Sequence, residues 1–168
     1  MTYDPNISRL ADALFKANQP SPQPPLLRKI KPKVFVSFDY ENDRRYKLLL
    51  EAWSANSRFQ FVFQDKTPTE IMSDSVARVK GVLSTKVQDA THVLVLCGKY
   101  VNQRHRDAAQ IGCINWINFE CQQAIKYNKK IVAVSLQQPA YLPQTVPKGR
   151  AIGVSSFNER DIIAALAR

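Results

Sequence analysis

The sequence predicts an α/β fold in which helices cover both faces of a five-stranded parallel sheet. Short, strongly apolar runs alternate along the chain with longer segments whose apolar residues recur every three to four positions. This alternation is typical of βαβ units, whose crossovers place helices on both faces of a parallel sheet. Five strands favour the flavodoxin-like strand order 2-1-3-4-5 in a three-layer architecture.

The length and hydropathy indicate one compact domain without a membrane-spanning segment. With 168 residues, the chain is long enough for one domain with a proper core and too short for two of ordinary size. No apolar run reaches the roughly 18 residues that cross a bilayer, and the N-terminus lacks the features of a signal peptide. We therefore expect a cytoplasmic protein with no membrane partner.

The start of the chain differs from the rest. Residues 1–32 are predicted to form a short N-terminal helix and a proline-rich linker, and residues 33–168 the α/β domain. Apolar side chains recur at helical spacing between Ile7 and Phe15. The segment PSPQPPLLRKIKP at residues 20–32 is typical of an extended spacer, although a ligand of an SH3 domain would have a similar composition.

Five apolar segments are predicted to be the strands of the sheet. They lie at residues 33–38, 59–63, 92–98, 130–136 and 151–154. The segments with helical periodicity are one that ends near Ser54 and those at residues 76–87, 111–127 and 158–168. The stretch 99–113, before the third helix, is expected to be a long loop, and loops of that length are often functional.

An acidic segment, residues 39–43, precedes the first helix of this otherwise basic protein. Either Asn42 or Asp43 is expected to be the helix N-cap, where acidic side chains also favour the helix dipole. A binding role for the segment stays open, and the two roles are compatible. The helix residues spaced to face the core are Tyr46, Leu49, Leu50 and Trp53.

The third helix carries Glu120 one turn after Trp116. Its buried stripe is predicted to consist of Ile114, Ile117, Cys121, Ala124 and Ile125, and Asn115 is a plausible N-cap. Trp116 and Glu120 lie on an adjacent stripe. From the helix alone, the glutamate is therefore either a functional acid or a solvated residue beside the core.

The predicted topology brings several polar and aromatic side chains to one edge of the sheet. Ligands of such sheets bind beyond the carboxyl ends of the strands, where the strand order reverses, here between the first and third strands. Asp39 and Tyr40 follow the first strand, and Asp65 follows the second. The loop after the third strand leads to Trp116 and Glu120, so all five are candidate site residues.

The sequence lacks the signatures of several common enzyme classes. It contains no G-x-G-x-x-G, no G-x-x-x-x-G-K-[ST] and no G-x-S-x-G, which disfavours Rossmann dinucleotide binding, a P-loop and a serine hydrolase. The three cysteines, Cys97, Cys113 and Cys121, have no metal-ligand spacing, so we expect buried free thiols and no metal site. A thiol enzyme would need a histidine close to Cys97, and the sequence gives little support for one.

The formal net charge of +10 suggests an anionic partner. Its cations are clustered at residues 28–33, 44–47, 104–106 and 126–130. These clusters are scattered and carry no signature of a nucleic-acid-binding fold. Solvated faces or a phosphate-bearing small molecule account for the charge as well as a nucleic-acid surface does, and we do not expect a nucleic-acid partner.

Carboxylates are the remaining candidates for catalysis. A carboxylate facing a ribosyl carbon can stabilise an oxocarbenium-like transition state or hold the ribose hydroxyls while a base departs. An aromatic neighbour such as Trp116 can pack against the sugar ring and exclude water, which strengthens the effect of the charge.

Four stretches of the sequence carry a family resemblance. They are KVFVSFDYEND as first strand and turn, a second strand that ends in Asp65, DATHVLVLCG as third strand, and WINFE followed by KKIVAVSL. Together they resemble a TIR-like domain, most closely the ThsB-type TIR-like subunit of bacterial Thoeris antiphage systems. The resemblance covers residues 33–157. Its most specific part is the W-x-x-x-E spacing of Trp116 and Glu120, because the family's catalytic glutamate lies there.

The differences between this sequence and animal TIR domains favour the bacterial branch of the family. The R-D-x-x-P-G loop of animal TIR domains is replaced by QDKTPT, and their F-W box is missing. An adaptor of the animal receptor kind is therefore disfavoured.

The resemblance implies an enzyme that consumes NAD as its substrate and needs no cofactor. Glu120 would assist the departure of nicotinamide, and adenine would then attack the ribosyl centre to give a cyclic ADP-ribose isomer. By the same resemblance, and with the aromatic neighbour discussed above, the substrate pocket would be lined by Phe38, Asp39, Tyr40, Asp65 and Trp116.

The resemblance also implies partners. Activity would follow self-association or a phage-derived trigger, and a separate effector protein would sense the product. Two alternatives stay open, namely a non-catalytic flavodoxin-like interaction or scaffold module and a nucleoside deoxyribosyltransferase-like enzyme, which shares the fold and a glutamate.

Overall fold

The structure, a computed structural model, describes residues 32–55, 61–64 and 75–168. These residues belong to one compact unit, Lys31–Arg168. The predicted N-terminal helix and linker, the strand residue Phe59 and the candidate site residue Asp65 lie outside the described residues, so the domain boundary at residue 32 stays a prediction. None of the helices within the described ranges is long and apolar enough to cross a membrane.

The strands form one parallel sheet. They are β1 Lys33–Ser37, β2 Val62–Gln64, β3 His92–Cys97, β4 Lys130–Ser135 and β5 Ala151–Val154. Their order is β2-β1-β3-β4-β5, and every neighbouring pair is parallel, which confirms the predicted flavodoxin-like topology. The strand order reverses between β1 and β3, so the carboxyl ends of these two strands mark the expected ligand-binding edge.

The helices within the described ranges number one more than predicted. They are α1 Tyr40–Ser54, α2 Val76–Asp89, α3 Ala108–Ile111, α4 Trp116–Lys126 and α5 Glu159–Leu166. The prediction of a loop over residues 99–113 followed by one helix from Ile111 was wrong. Gly112 has a φ of 78°, and a left-handed residue ends a right-handed helix. The next helix, α4, begins after Asn115. The Asn115 side chain caps it as predicted, by accepting a hydrogen bond from the Asn118 N–H.

Helix α1 begins earlier than the sequence predicted. Asp39 is its N-cap, and the prediction of Asn42 or Asp43 in that role was wrong. The backbone is extended at Asp39 and helical from Tyr40, so the first unpaired N–H groups belong to the residues just after it. The Asp39 carboxylate accepts hydrogen bonds from the N–H groups of Glu41 and Asn42 at 3.0 and 3.3 Å.

The buried stripe of α1 is narrower than predicted. Leu50 is fully buried, and the rings of Tyr46 and Trp53 pack on Phe157 with centroid distances of 4.8 and 5.0 Å. Leu49, which was predicted to face the core, is 46% exposed. Successive residues of a helix point about 100° apart, so the packing of Leu50 directs Leu49 toward solvent.

The core lies in two layers, one on each face of the sheet, as strands covered on both faces require. Because side chains alternate along a strand, Phe35 of β1 packs beneath α2 and α4, whereas Val34 and Val36 pack beneath α1 and α5. We call these the α2–α4 face and the α1–α5 face. Strand β3, between β1 and β4, is buried along its whole length.

Candidate active site

Glu120 of α4 lies inside the protein, against the end of β1. The residue is only 2% exposed, and its Oε2 accepts a hydrogen bond of 2.5 Å from the Ser37 hydroxyl. The alternative of a solvated residue beside the core is therefore excluded. A buried carboxyl held by one hydroxyl at the ligand-binding edge of a parallel sheet is a candidate catalytic group.

The environment of Glu120 favours its protonated form. Burial raises the pKa of Glu120 to about 8, although the hydrogen bond from Ser37 lowers it. None of the cations that the structure describes forms a salt bridge with this carboxyl. At neutral pH the group is largely protonated in this conformation. A positive charge brought close to it would lower its pKa and favour the ionised form.

Ser37 is a site residue that the sequence predictions missed. It is the last residue of β1, and strand alternation places it with Phe35 on the α2–α4 face. Helix α4 packs on this face and brings Glu120 over the hydroxyl. The available signal was a single serine at the end of an otherwise apolar strand. The sequence alone does not reveal which helix covers that serine.

The predicted pocket residues that follow β1 lie on the other face of the sheet from Glu120. Phe38 is buried in the layer of the α1–α5 face, and its ring centroid is 6.3 Å from that of Tyr40. The Arg44 guanidinium lies over the Tyr40 ring, 5.2 Å from its centroid. Asp39, besides capping α1, accepts a hydrogen bond of 2.9 Å from the Asn42 side chain.

Trp116 stands one turn before Glu120 on α4, as its spacing predicts. Its half-buried ring meets those of Phe119 and His105 edge-on, with centroid distances of 6.0 and 6.2 Å. His105 Nδ1 accepts a hydrogen bond of 3.1 Å from the Asp107 N–H. Trp116 thus belongs to an aromatic cluster at the N-terminal end of α4.

A second buried carboxylate lies at the end of β3. Asp43, in the first turn of α1, is 7% exposed, and a Cβ added to Gly98 would lie 2.2 Å from its Oδ2. Burial and then the neighbouring Asp39 raise the pKa of Asp43 to about 6. Among the described residues, no side chain or backbone group hydrogen-bonds or ion-pairs with this carboxylate. Both oxygens keep some contact with solvent, because neither belongs to the fully buried side-chain atoms without a hydrogen-bond partner.

The sequence predictions did not identify Asp43 as a site residue. We predicted it as one of two candidate caps in an acidic segment for which a binding role stayed open. Its spacing from Lys47 and Leu50, both buried, is that of one helical stripe, and this was the signal that could have placed it inward. Its carboxylate contributes to the environment of Cys97, at the end of β3.

The cysteines are free, and Cys97 and Cys121 are buried as predicted, whereas the prediction was wrong for Cys113, which is only partly buried. Burial, with a smaller contribution from Asp43, raises the pKa of Cys97 to about 12. Burial, then the nearby Glu120, raises the pKa of Cys121 as well. Thiols in this state are protonated and poor nucleophiles at neutral pH, which disfavours a thiol enzyme.

The Glu120 carboxyl is enclosed within the protein. Glu120 lines neither the cavity between α2, α3 and α4 nor the cavity between the loops that follow β3 and β4. A substrate can reach the carboxyl only after the residues that cover it move. The arrangement is a candidate active site whose catalytic carboxyl is buried.

A five-stranded parallel sheet of this order, with a buried glutamate on α4, places the chain in the flavodoxin-like α/β class, to which TIR-like domains belong. The family model described as "Thoeris protein ThsB, TIR-like domain" matches residues 35–141. The match spans more than half of the chain, so the chain belongs to this family of Thoeris defence proteins. Ser37, Trp116 and Glu120 all lie within the matched region.

A comparison of structures agrees on the fold. The crystal structure of a prokaryotic SEFIR domain is similar to this chain with a TM-score of 0.50 at 17% sequence identity, covering 81% of this chain and 94% of that chain. At this identity the similarity shows the fold alone. A search of curated proteins found no match.

Proposed function

We propose that this chain is an enzyme that cleaves the bond between nicotinamide and ribose in NAD, with Glu120 as the catalytic residue. The observation that carries the proposal is the burial of the Glu120 carboxyl against Ser37 at the carboxyl edge of the sheet. Membership of a TIR-like family supports it, since TIR-like domains include NAD-cleaving enzymes.

The reaction needs an anion near the ribosyl carbon. When the bond between C1′ and the nicotinamide nitrogen breaks, its electron pair leaves with neutral nicotinamide, and positive charge develops on the ribosyl ring. An ionised Glu120 stabilises this charge. Attack by an adenine ring nitrogen on C1′ gives a cyclic ADP-ribose isomer, and attack by water, which loses a proton, gives linear ADP-ribose. We propose the cyclic isomer as the main product.

The cation in the substrate would offset the effect of burial on the pKa of Glu120. In the closed protein the carboxyl is buried, and its pKa is raised to about 8. The pyridinium of bound NAD would lower that pKa, because a nearby positive charge favours the carboxylate. Glu120 would thus become an anion when the substrate that needs it is present.

The remaining substrate contacts are proposed for the residues around this edge. Trp116 would exclude water from the ribose, and Phe38 and Tyr40 would pack against the nucleotide. Asp39, Asp65 and the Asp43 carboxylate would accept hydrogen bonds from ribose hydroxyls. Such hydroxyl donors would give Asp43 the partner that it lacks among the described residues.

The enclosure of Glu120 supports regulated activity. A carboxyl that is 2% exposed cannot meet a dinucleotide without rearrangement. We propose that self-association, prompted by a phage-derived trigger, opens the site, and that the product acts on a separate effector protein. The protein is proposed to act in the cytoplasm.

The test is nicotinamide release from NAD. The full chain and its Glu120→Gln variant are incubated with NAD at high protein concentration, with and without phage lysate, and nicotinamide is followed by chromatography. Glu120→Gln keeps the size of the side chain but cannot ionise, so we expect its rate to fall about 100-fold or more. The mass and fragmentation pattern of the nucleotide product identify a cyclic or linear ADP-ribose.

The matched control is Glu159→Gln, which removes an exposed carboxylate at the start of α5. We expect this variant to release nicotinamide at the wild-type rate. Equal release from wild type and Glu120→Gln would remove Glu120 from the catalytic role.

The second candidate function is a non-catalytic interaction or scaffold module. The observation that favours it is the same enclosure, because Glu120 lines neither of the two cavities described above. In that case no condition releases nicotinamide. A parallel trial with deoxyribonucleosides separates the third possibility, a nucleoside deoxyribosyltransferase-like enzyme, which would release a free base from them.

A further inference from the structure

A surface cavity of about 510 Å³ opens between the loops that follow β3 and β4. Its walls are formed by Lys99, Tyr100, Val101, Asn102, Gln103 and Tyr141. We call it the Tyr100–Tyr141 cavity. The cavity and the candidate active site have no residue in common, although both lie at the carboxyl edge of the sheet, where β1 and β3 are neighbours.

Buried amide groups hold the two loops together beneath the cavity. Asn118 of α4 is fully buried, and its Nδ2 donates to the Val101 carbonyl and to Asn102 Oδ1, each at 3.3 Å. Its Oδ1 accepts from the Thr145 N–H at 3.1 Å. Asn115 donates to the same Val101 carbonyl at 2.9 Å. A satisfied buried network of this kind is rigid, so the cavity is largely formed before any ligand arrives.

The side chains around the cavity are exposed and lack partners among the described residues. Tyr100 is 37% and Tyr141 52% exposed, and neither hydroxyl hydrogen-bonds to a residue that the structure describes. The Lys99 ammonium lies 5.3 Å from the centroid of the Tyr100 ring. No carboxylate within the described ranges pairs with Lys99. The surface therefore offers aromatic faces and one uncompensated cation.

This combination matches the two parts of a nucleotide. Aromatic side chains stack on planar bases, and a lysine ammonium is a point charge suited to phosphate. The cavity volume is within the range of small-molecule sites, roughly 300 to 1,000 Å³. A purely apolar ligand would leave Lys99 unused, and a bare phosphate would leave both rings unused.

The geometry points to a nucleotide-binding site in the Tyr100–Tyr141 cavity, with the base against the tyrosine rings and the phosphate on the Lys99 ammonium. Two sources supply this chemistry, either a free mononucleotide or the adenylate half of a dinucleotide whose other half reaches Glu120. The second source alone rests on the proposed function. In either case, binding at this cavity does not require Glu120 to be catalytic.

The experiment is calorimetric titration of the full chain carrying Glu120→Gln, so that no probe is consumed. The probes are AMP, adenosine and inorganic phosphate, each up to millimolar concentration. We expect AMP to bind saturably and more tightly than adenosine or phosphate. Tyr141→Ala should weaken AMP binding about 5-fold or more, the effect of losing one stacking partner. Lys99→Gln should weaken the binding of AMP but change that of adenosine little.

The controls are exposed neighbours that do not line the cavity. Leu142 is 44% exposed beside Tyr141, and the Arg106 side chain is 88% exposed in the loop after β3. Leu142→Ala and Arg106→Gln should bind AMP as the parent does. The proposal is overturned if AMP does not bind saturably, or if these controls weaken AMP binding as much as Tyr141→Ala.

Competition distinguishes the two sources. If NAD displaces AMP and nicotinamide mononucleotide does not, the cavity holds the adenylate half of a dinucleotide. If NAD and AMP bind at the same time, it holds a separate mononucleotide. Absence of nicotinamide release from the wild-type chain would count against the proposed function. The AMP titration would still test whether the Tyr100–Tyr141 cavity binds a nucleotide.

Discussion

The Ser37 hydroxyl donates a 2.5 Å hydrogen bond to Glu120 Oε2, joining residues that are 83 positions apart in the chain. The Glu120 side chain makes no other hydrogen bond to a residue that the structure describes. The orientation of the carboxyl and its affinity for a proton therefore both depend on a residue at the end of β1.

Replacing Ser37 by alanine should shift the pH dependence of nicotinamide release to higher pH. The hydrogen bond from Ser37 lowers the pKa of Glu120 against the effect of burial, so its loss raises that pKa further. Because the proposed chemistry needs the carboxylate, the rate at neutral pH should fall about 10-fold, the effect of one hydrogen bond to a charged group. The measurement is the rate of nicotinamide release as a function of pH.

Ser155→Ala, at an exposed position after β5, is the matched control and should leave the profile unchanged. An unchanged profile for Ser37→Ala would show that the serine does not tune the carboxyl.

The Glu120 carboxyl should make the protein less stable as the pH rises from about 4.5 to about 8. Its ordinary pKa is 4.5, and its pKa in the folded protein is about 8. Between these values the unfolded chain has released a proton that the folded protein retains. The contribution of protonated Glu120 to the free energy of unfolding is fully present below the lower pKa and is lost as the pH rises through the higher one. The free energy of unfolding falls by at most about 1.4 kcal/mol per pH unit.

The measurement is urea unfolding of the wild type and Glu120→Gln at about pH 5 and about pH 8. Glutamine does not titrate, so the variant should gain stability relative to the wild type at the higher pH. A difference between the two proteins that stays constant with pH would contradict the raised pKa.

Replacing Gly98 by alanine should destabilise the protein through Asp43. The new Cβ would meet the end of the Asp43 side chain, which must move into another rotamer at a cost of about 1 kcal/mol. Asp43→Ala removes the obstructing carboxylate. The double variant should therefore be more stable than the sum of the two single changes predicts, as measured by urea unfolding in a double-mutant cycle.

Gly153→Ala serves as the control, because nothing lies within 4 Å of a Cβ added at that position of β5. We expect its effect to be small and independent of Asp43. Strictly additive effects of Gly98→Ala and Asp43→Ala would mean that the two residues are not in contact.

Replacing Asn118 by alanine should loosen the loops that follow β3 and β4. The change removes the acceptor of the Thr145 N–H and leaves buried groups without partners, which costs about 2 kcal/mol or more. Urea unfolding measures the loss of stability, and hydrogen exchange of the Thr145 amide should become faster. The control is Gln122→Ala, on the exposed side of α4. It should change the free energy of unfolding by no more than about 0.5 kcal/mol and leave the exchange rate of the Thr145 amide nearly unchanged.

Most of the fold was predictable because its signals are local. The alternation of apolar strands with helical periodicity gave the parallel sheet and its order, and the cap at Asn115 followed from residue type and position. The errors occurred where one backbone angle or the packing of one side chain decides the outcome. Gly112 ended α3 through a left-handed φ, and Leu49 turned outward because Leu50 turned inward.

The site was predictable only in part. The helix position of Trp116 and Glu120 followed from the spacing and from the strand order. The partners Ser37 and Asp43 did not, because each becomes a site residue through a contact with a distant element. Ser37 meets α4, and Asp43 meets Gly98 at the end of β3.

The sequence by itself determined that one glutamate follows Trp116 by a turn, on the helix after the third strand of a parallel sheet. Only the tertiary structure decided that Glu120 is enclosed, that Ser37 is its partner, and that Phe38 packs on the opposite face of the sheet. The physical reason is that spacing along a chain fixes which side of a helix or strand a residue occupies. Burial, and with it the raised pKa of Glu120, depends on which element packs over that side.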